Sequence, residues 1–178
     1  MTETLPFTVL SSHGRGFHLL MKMKVNGKVA KMIIDTGASH TVFDKSKITK
    51  FVKDNKFTKM AKTTTGLGGN NIDSHHTTIN KISLGKISLV NYPGVMLDLS
   101  HVNISYAAMG LPEVDGVLGA DIFVMFNAVI DYEKKTLTLN DKALKGLEKA
   151  RKLIVKKSAG RIKKAAAKKK KVTAKAKK

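Results

Sequence analysis

The stretch Lys31-Met32-Ile33-Ile34-Asp35-Thr36-Gly37-Ala38-Ser39-His40-Thr41-Val42-Phe43 constrains this chain more than any other. An apolar run carries a carboxylate to a turn of small residues, and a second apolar run leaves it. β-branched and large side chains before Asp35 fit a pleated, buried strand. Gly37 lets the backbone of the turn approach a partner closely. An acid is costly to bury without a hydrogen-bonded or charged partner, so an Asp delivered by a core strand needs a reason. The plain alternative is an ordinary strand-ending turn, because Asp, Thr and Gly meet by chance in many chains.

A second segment, Asp115-Gly116-Val117-Leu118-Gly119-Ala120-Asp121-Ile122-Phe123, follows far downstream. Together the two resemble the retropepsin-like (clan AA) aspartic proteases of the single-lobe bacterial type. That family carries Asp-Thr/Ser-Gly-Ala on one arm of a ψ-shaped loop. An apolar-apolar-Gly segment before its C-terminal helix forms the other arm, the position of Val117, Leu118 and Gly119. The resemblance runs from about Gly14 to Leu139.

Between these anchors the chain reads as short strands. Phe7–Leu10 is a candidate first strand, and Phe17–Val25 alternates Met21, Met23 and Val25 against Lys22 and Lys24. Asn26-Gly27 is a strong hairpin signal, since both residues tolerate the positive φ of a type I′ turn. Val29–Ile34 is the return strand that presents Asp35. Asp44–Met60 is polar, with Ile48, Phe51, Val52 and Phe57 as anchors, and reads as a surface excursion with room for a short helix. Thr77–Leu84 and Ile87–Val90 are strands joined at Gly85-Lys86, and Val95–Leu99 continues the pattern. Ser100–Met109 fits neither period. Ala120–Phe126 is a short buried helix, and Ala128–Tyr132 and Thr136–Leu139 form a closing hairpin. The expected fold is mainly β: a small closed barrel of the retropepsin-like acid protease type with one short C-terminal helix.

A chain of 178 residues suits one domain with an adequate core and is too short for two protease lobes. It has no cysteine, which removes disulfides and thiol chemistry. The first residues lack the basic and apolar regions of an export signal, and no apolar run approaches the ~20 residues of a transmembrane span. A cytoplasmic, soluble protein is the expectation. Residues 142–178 hold 17 Lys or Arg against Glu148, and so carry 16 of the chain's 20 net positive charges. This divides the chain into a protease-like domain, 1–140, and a Lys/Ala-rich segment, 141–178. Leu144, Leu147 and Ile154 fall near helical spacing up to Gly160, beyond which the composition offers no core and predicts disorder. Such a tail, Lys142–Lys178, would neutralise phosphates without reading bases, giving salt-dependent nucleic-acid binding. Anionic membranes, ribosomes or simple solubilisation are the alternatives.

Other motifs carry less. His75-His76 lacks the spacing of a zinc site, and there is no Gly-x-Ser-x-Gly. His40 is read as solvated or packed. Asp121 and Asp131 lack the Asp-Thr/Ser-Gly context, and Asp121 matches a family position usually read as structural.

The resemblance implies an aspartic endopeptidase acting as a homodimer on peptide or protein substrates, each chain giving one Asp35. No metal or organic cofactor is implied. Thr36 would bond across the dimer, Gly37 would bring backbone groups near the carboxylates, and Ala38 would leave room for substrate. Ser39 would hydrogen-bond the outer oxygen of Asp35. Gly66, Leu67, Gly68 and Gly69 would form the tip of a flap over an extended peptide, where the plain alternative is a flexible hairpin turn. Two non-enzymatic readings stand beside this one: a peptide-binding or dimerisation module of the same fold with a nucleic-acid-binding tail, and a nucleoid-associated protein whose barrel only dimerises.

Overall fold

Strand alternation is visible from the second residue of the computed structural model, which describes residues 1–11, 14, 16–53, 58–59 and 74–141. These residues fall within one compact unit, Met1–Asp141. In chain order the strands are β1 (Thr2–Ser11), β2 (Phe17–Val25), β3 (Lys28–Ile34), β4 (Val42–Asp44), β5 (Thr58–Lys59), β6 (His75–Leu84), β7 (Ile87–Leu97), β8 (Gly116–Leu118), β9 (Val129–Asp131) and β10 (Thr136–Asn140). Two α-helices, α1 (Ser100–Ala108) and α2 (Ala120–Met125), and a 3₁₀ turn at Ile48–Lys50 complete the described elements.

Six strands close on themselves in the order β6-β7-β4-β8-β3-β2, and β2 returns to β6 through the pairs Lys24↔Ser83 and Val25↔Ile82. Outside the ring, β1 pairs with β2 through Phe7–Ser11 and with β10 through Thr2–Pro6, and β10 pairs with β9. The sequence shows only the second half of β1. The first half is polar and alternating, and its partner β10 lies at the far end of the unit, joined by a Thr4–Thr138 hydroxyl contact of 3.1 Å.

The β2–β3 hairpin turns at Asn26 (φ 49) and Gly27 (φ 84), the type I′ geometry their chemistry favours. It fixes the register Val25↔Lys28 through Leu19↔Ile34. Met21, Met23, Val25, Ala30 and Met32 are buried, whereas Lys22 and Lys24 are exposed. Methionine is no strong strand former, but fully burying one contributes roughly 1.5–3 kcal/mol, more than the ~1 kcal/mol span of β-propensity. Alternation therefore decides the conformation here. Ile48, Phe51 and Val52 are buried, anchoring the excursion after β4 as their apolar character implies. Phe57, the Thr63–Asn71 segment with the proposed flap tip, and Lys142–Lys178 lie outside the described residues.

The segment left open by its mixed pattern, Ser100–Met109, is helical, so a second α-helix joins the one expected after Gly119. Its start is tied by the Asp98 carboxylate, which accepts from the Ser100 amide at 2.9 Å. Its end is a Schellman motif: Gly110, at φ 68, donates to Ala107 O and Leu111 donates to Tyr106 O. Asn103 pins it. Its side-chain amide donates to Asp44 Oδ2 (2.9 Å) and Val114 O (3.2 Å), and its oxygen accepts from the Val114 amide (2.8 Å). No helix among the described residues is long and apolar enough to cross a membrane.

Candidate active site

β8 lies between β3 and β4, parallel to the first and antiparallel to the second. The chain thus leaves β3, makes the Asp35–His40 turn and returns as β4 with a later strand threaded between. This is the ψ-shaped arrangement, and it brings Asp35 and Val117-Leu118-Gly119 together. The Asp35 amide donates to Leu118 O at 3.0 Å, and the Ala120 amide donates to Ala38 O at 2.8 Å.

Glycine is needed at the crossings. A Cβ on Gly119 would stand 2.5 Å from the carbonyl of His40 and 2.9 Å from Ala38 O, and one on Gly116 would stand 2.3 Å from Val42 O. The two arms touch backbone to backbone, as only residues without side chains allow.

Asp35 itself is exposed, as are Thr36, Gly37 and Ser39, while Ala38 is half-buried. The Gly37 amide donates to Asp35 Oδ1 at 2.8 Å, and the Ala38 amide closes the turn onto Asp35 O at 3.3 Å. The expected Ser39 contact is not made: among the described residues the carboxylate's donor is Gly37. A turn that folds back two residues after an Asp presents its own amide first.

Beneath this surface carboxylate runs a polar chain that the sequence did not disclose. Thr41, fully buried, accepts from the Gly119 amide (3.0 Å) and donates its hydroxyl to Asp121 Oδ1 (2.8 Å). The Thr41 and Ile122 amides donate to the same oxygen at 2.9 Å each. The Tyr92 hydroxyl donates to Asp121 Oδ2. Burial, and then the neighbouring Asp121 carboxylate, hold the Tyr92 phenol well above its ordinary range. Asp121 is therefore occupied as a structural acceptor, in keeping with the family position it matches. Thr41 could have been noticed within the central stretch; Tyr92 carried no local signal.

Ile33 and Val117 are register partners and share the outer face of the sheet with the Asp35 side chain. That face is covered in part by α1 and its following loop: Tyr106 and Val114 pack with Leu20 and Ile33, flanked by half-buried Leu10, Val102, Met109, Leu111 and Val117. An apolar wall therefore stands beside the carboxylate. His75 and His76 are half-buried on β6, and His40 is exposed. Among the described residues no three His, Asp or Glu side chains converge as metal ligands do.

The family model described as aspartyl protease matches residues 21–122, from β2 through Asp35 and the Gly119 arm to α2. The chain belongs to the aspartyl protease family. Within it the fold is retropepsin-like: a retropepsin-like aspartic protease from Rickettsia conorii is 23% identical, with a TM-score of 0.50, over 78% of this chain and 92% of that one. The retroviral protease-like domain of Ddi1 from Leishmania major is 13% identical with a TM-score of 0.47, over 70% and 89% of the two chains. No curated protein matches. In this aspartyl protease family member, the matched region contains Asp35 and both arms of the crossing.

Proposed function

We propose that the chain is an aspartic endopeptidase that works as a homodimer, with Asp35 of each copy forming the catalytic pair. The observation that carries this is the contrast between two aspartates. Asp35 is exposed at a turn with one amide donor on Oδ1, while Asp121, the carboxylate that follows Gly119 on the second arm, is consumed by Thr41, Ile122 and Tyr92. The chemistry needs two carboxylates, so the second comes from another copy.

Two like charges brought together share one proton. The ionised Asp35 takes a proton from a water, and that water attacks the scissile carbonyl. The protonated Asp35 polarises the carbonyl oxygen and gives it its proton, forming a tetrahedral diol. A carboxyl then protonates the amine as the C–N bond breaks. Thr36 steadies the paired turns across the dimer, Gly37 lends backbone groups to the substrate, and Gly66, Leu67, Gly68 and Gly69 close over an extended peptide. Lys142–Lys178 tethers the enzyme to polyanions such as nucleic acid, on the strength of 17 cationic residues against one acid.

The test is a diverse peptide library incubated with full-length protein from acidic to neutral pH, beside Asp35→Asn. Cleavage in the wild type, reduced by at least roughly 10³-fold in the variant and blocked by a diol-mimicking inhibitor, is the expected outcome. A folded protein, dimeric by sedimentation, that cuts nothing would overturn the reading in favour of a peptide-binding module.

A further inference from the structure

Asp35 has a polar neighbour that no catalytic role has claimed. β2 and β3 pair through Leu19↔Ile34, and one step further along the two strands stand His18 and Asp35. The Asp35 amide still follows the ladder to Leu118 O, so alternation carries through it. Asp35 then shares the outer face with Ile33, and His18 shares it with Leu20. Residues opposite one another on one face have Cβ atoms about 5 Å apart.

His18 is exposed, and its ring lies 5.4 Å from the ring of Tyr106 on α1, tilted by 56°. Tyr106 is only 5% exposed and packs on Leu20 and Ile33. Its hydroxyl makes no hydrogen bond to a described residue, yet it is not sealed from solvent: among the described residues the one enclosed side-chain polar atom without a partner is Nδ1 of His75. A tyrosine so buried usually finds its hydroxyl a partner. Here ring and hydroxyl are divided between the apolar wall and the open side, next to the imidazole of His18 and on the face that Ile33 shares with Asp35.

We propose that His18 and Tyr106 form the donor corner of a substrate subsite beside Asp35, selecting a side chain with an apolar stem and a carboxamide tip, as in glutamine. The inference rests on the protease reading above. Val117, Leu10 and Leu111 are only partly covered and offer the stem its wall. The imidazole N–H and the phenol O–H can both donate to the carboxamide oxygen, and the phenol oxygen can accept from its NH2, so a carboxamide tip is served at both of its ends. A leucine fits the wall but leaves both donors unpaired. A glutamate tip meets the Asp35 charge on the same face.

The experiment uses the full chain and peptides that differ only in Gln, Leu or Glu at the residue flanking the scissile bond, on each side in turn. The expected kcat/KM for Gln exceeds that for Leu by about tenfold, the worth of one or two neutral hydrogen bonds, and exceeds that for Glu. His18→Phe and Tyr106→Phe keep the ring contact and lose a donor; each narrows the Gln-to-Leu ratio, and His18→Asn restores part of it. A wild-type ratio near one, or variants that lower both peptides equally, overturns the proposal. Should nothing be cleaved, the protease reading fails separately, and the corner is read from binding. NMR of Asp35→Asn then shows the His18 and Tyr106 rings shifted by the Gln peptide and not by the Leu peptide; equal shifts or none overturn it.

Discussion

The Thr41 hydroxyl is fully used: it accepts from Gly119 and donates to Asp121, joining the two arms that carry the site. Thr41→Val keeps the shape and removes both bonds, leaving a buried amide without an acceptor. The expected loss is about 2 kcal/mol of stability, read by urea unfolding, with a fall in activity as the Asp35 turn loosens. Tyr92 reports on the other side of the same carboxylate. Its folded-state proton is held more tightly than in the unfolded chain, where the ordinary value is 10.0. Its contribution is therefore complete below pH 10 and declines as the pH rises above it, by up to about 1.4 kcal/mol per pH unit. Unfolding titrations of the wild type should steepen on the alkaline side, and Tyr92→Phe should lose that part of the slope while being less stable at neutral pH. The sequence exposed Asp35 and Gly119 because their types are unusual in their settings. Thr41 stands in the same stretch as Asp35, but its role was hidden because its partners lie 78 and 80 residues away.

Elements whose ends are set by local turn chemistry were the legible ones. Asn26-Gly27, Gly85-Lys86 and the turn ending at Lys135 (φ 53) each join the strands their residues announce. α1 was not legible, because Asn103, which holds it, bonds to Asp44 across 59 residues, and the stripe of Val102, Tyr106 and Met109 is blurred by Ile104 on the exposed side. Its Schellman ending offers a clean measurement. Nothing lies within 4 Å of a Cβ built on Gly110, whose φ is +68. Gly110→Ala therefore adds backbone strain and no clash, and should cost about 1 kcal/mol in urea unfolding without changing the helix content. A much larger loss would mean that the turn after α1 is packed more tightly than its surroundings indicate.

At the scale of the whole molecule, the positive charge gathers at one end of the sequence. Lys142–Lys178 carries 16 of the 20 net positive charges, so a chain ending at Asp141 should lose most of its affinity for heparin or duplex DNA. The full chain's binding should weaken linearly in log–log plots against salt, and the truncated chain should keep its peptide cleavage. Unchanged DNA binding after truncation would remove the tether. Closure of the barrel was predicted from strand spacing, but where it closes was not. β2 meets β6 at two residue pairs, against seven between β2 and β3 and nine between β6 and β7. Asn26, chosen by the hairpin for its backbone, spans that short join: its amide donates to Lys81 O, its side-chain oxygen accepts from the Lys81 amide, and its Nδ2 reaches Phe51 O. A turn residue thus doubles as the clasp of the ring. Undoing that clasp would open the ring to water while leaving the long β2–β3 and β6–β7 ladders intact.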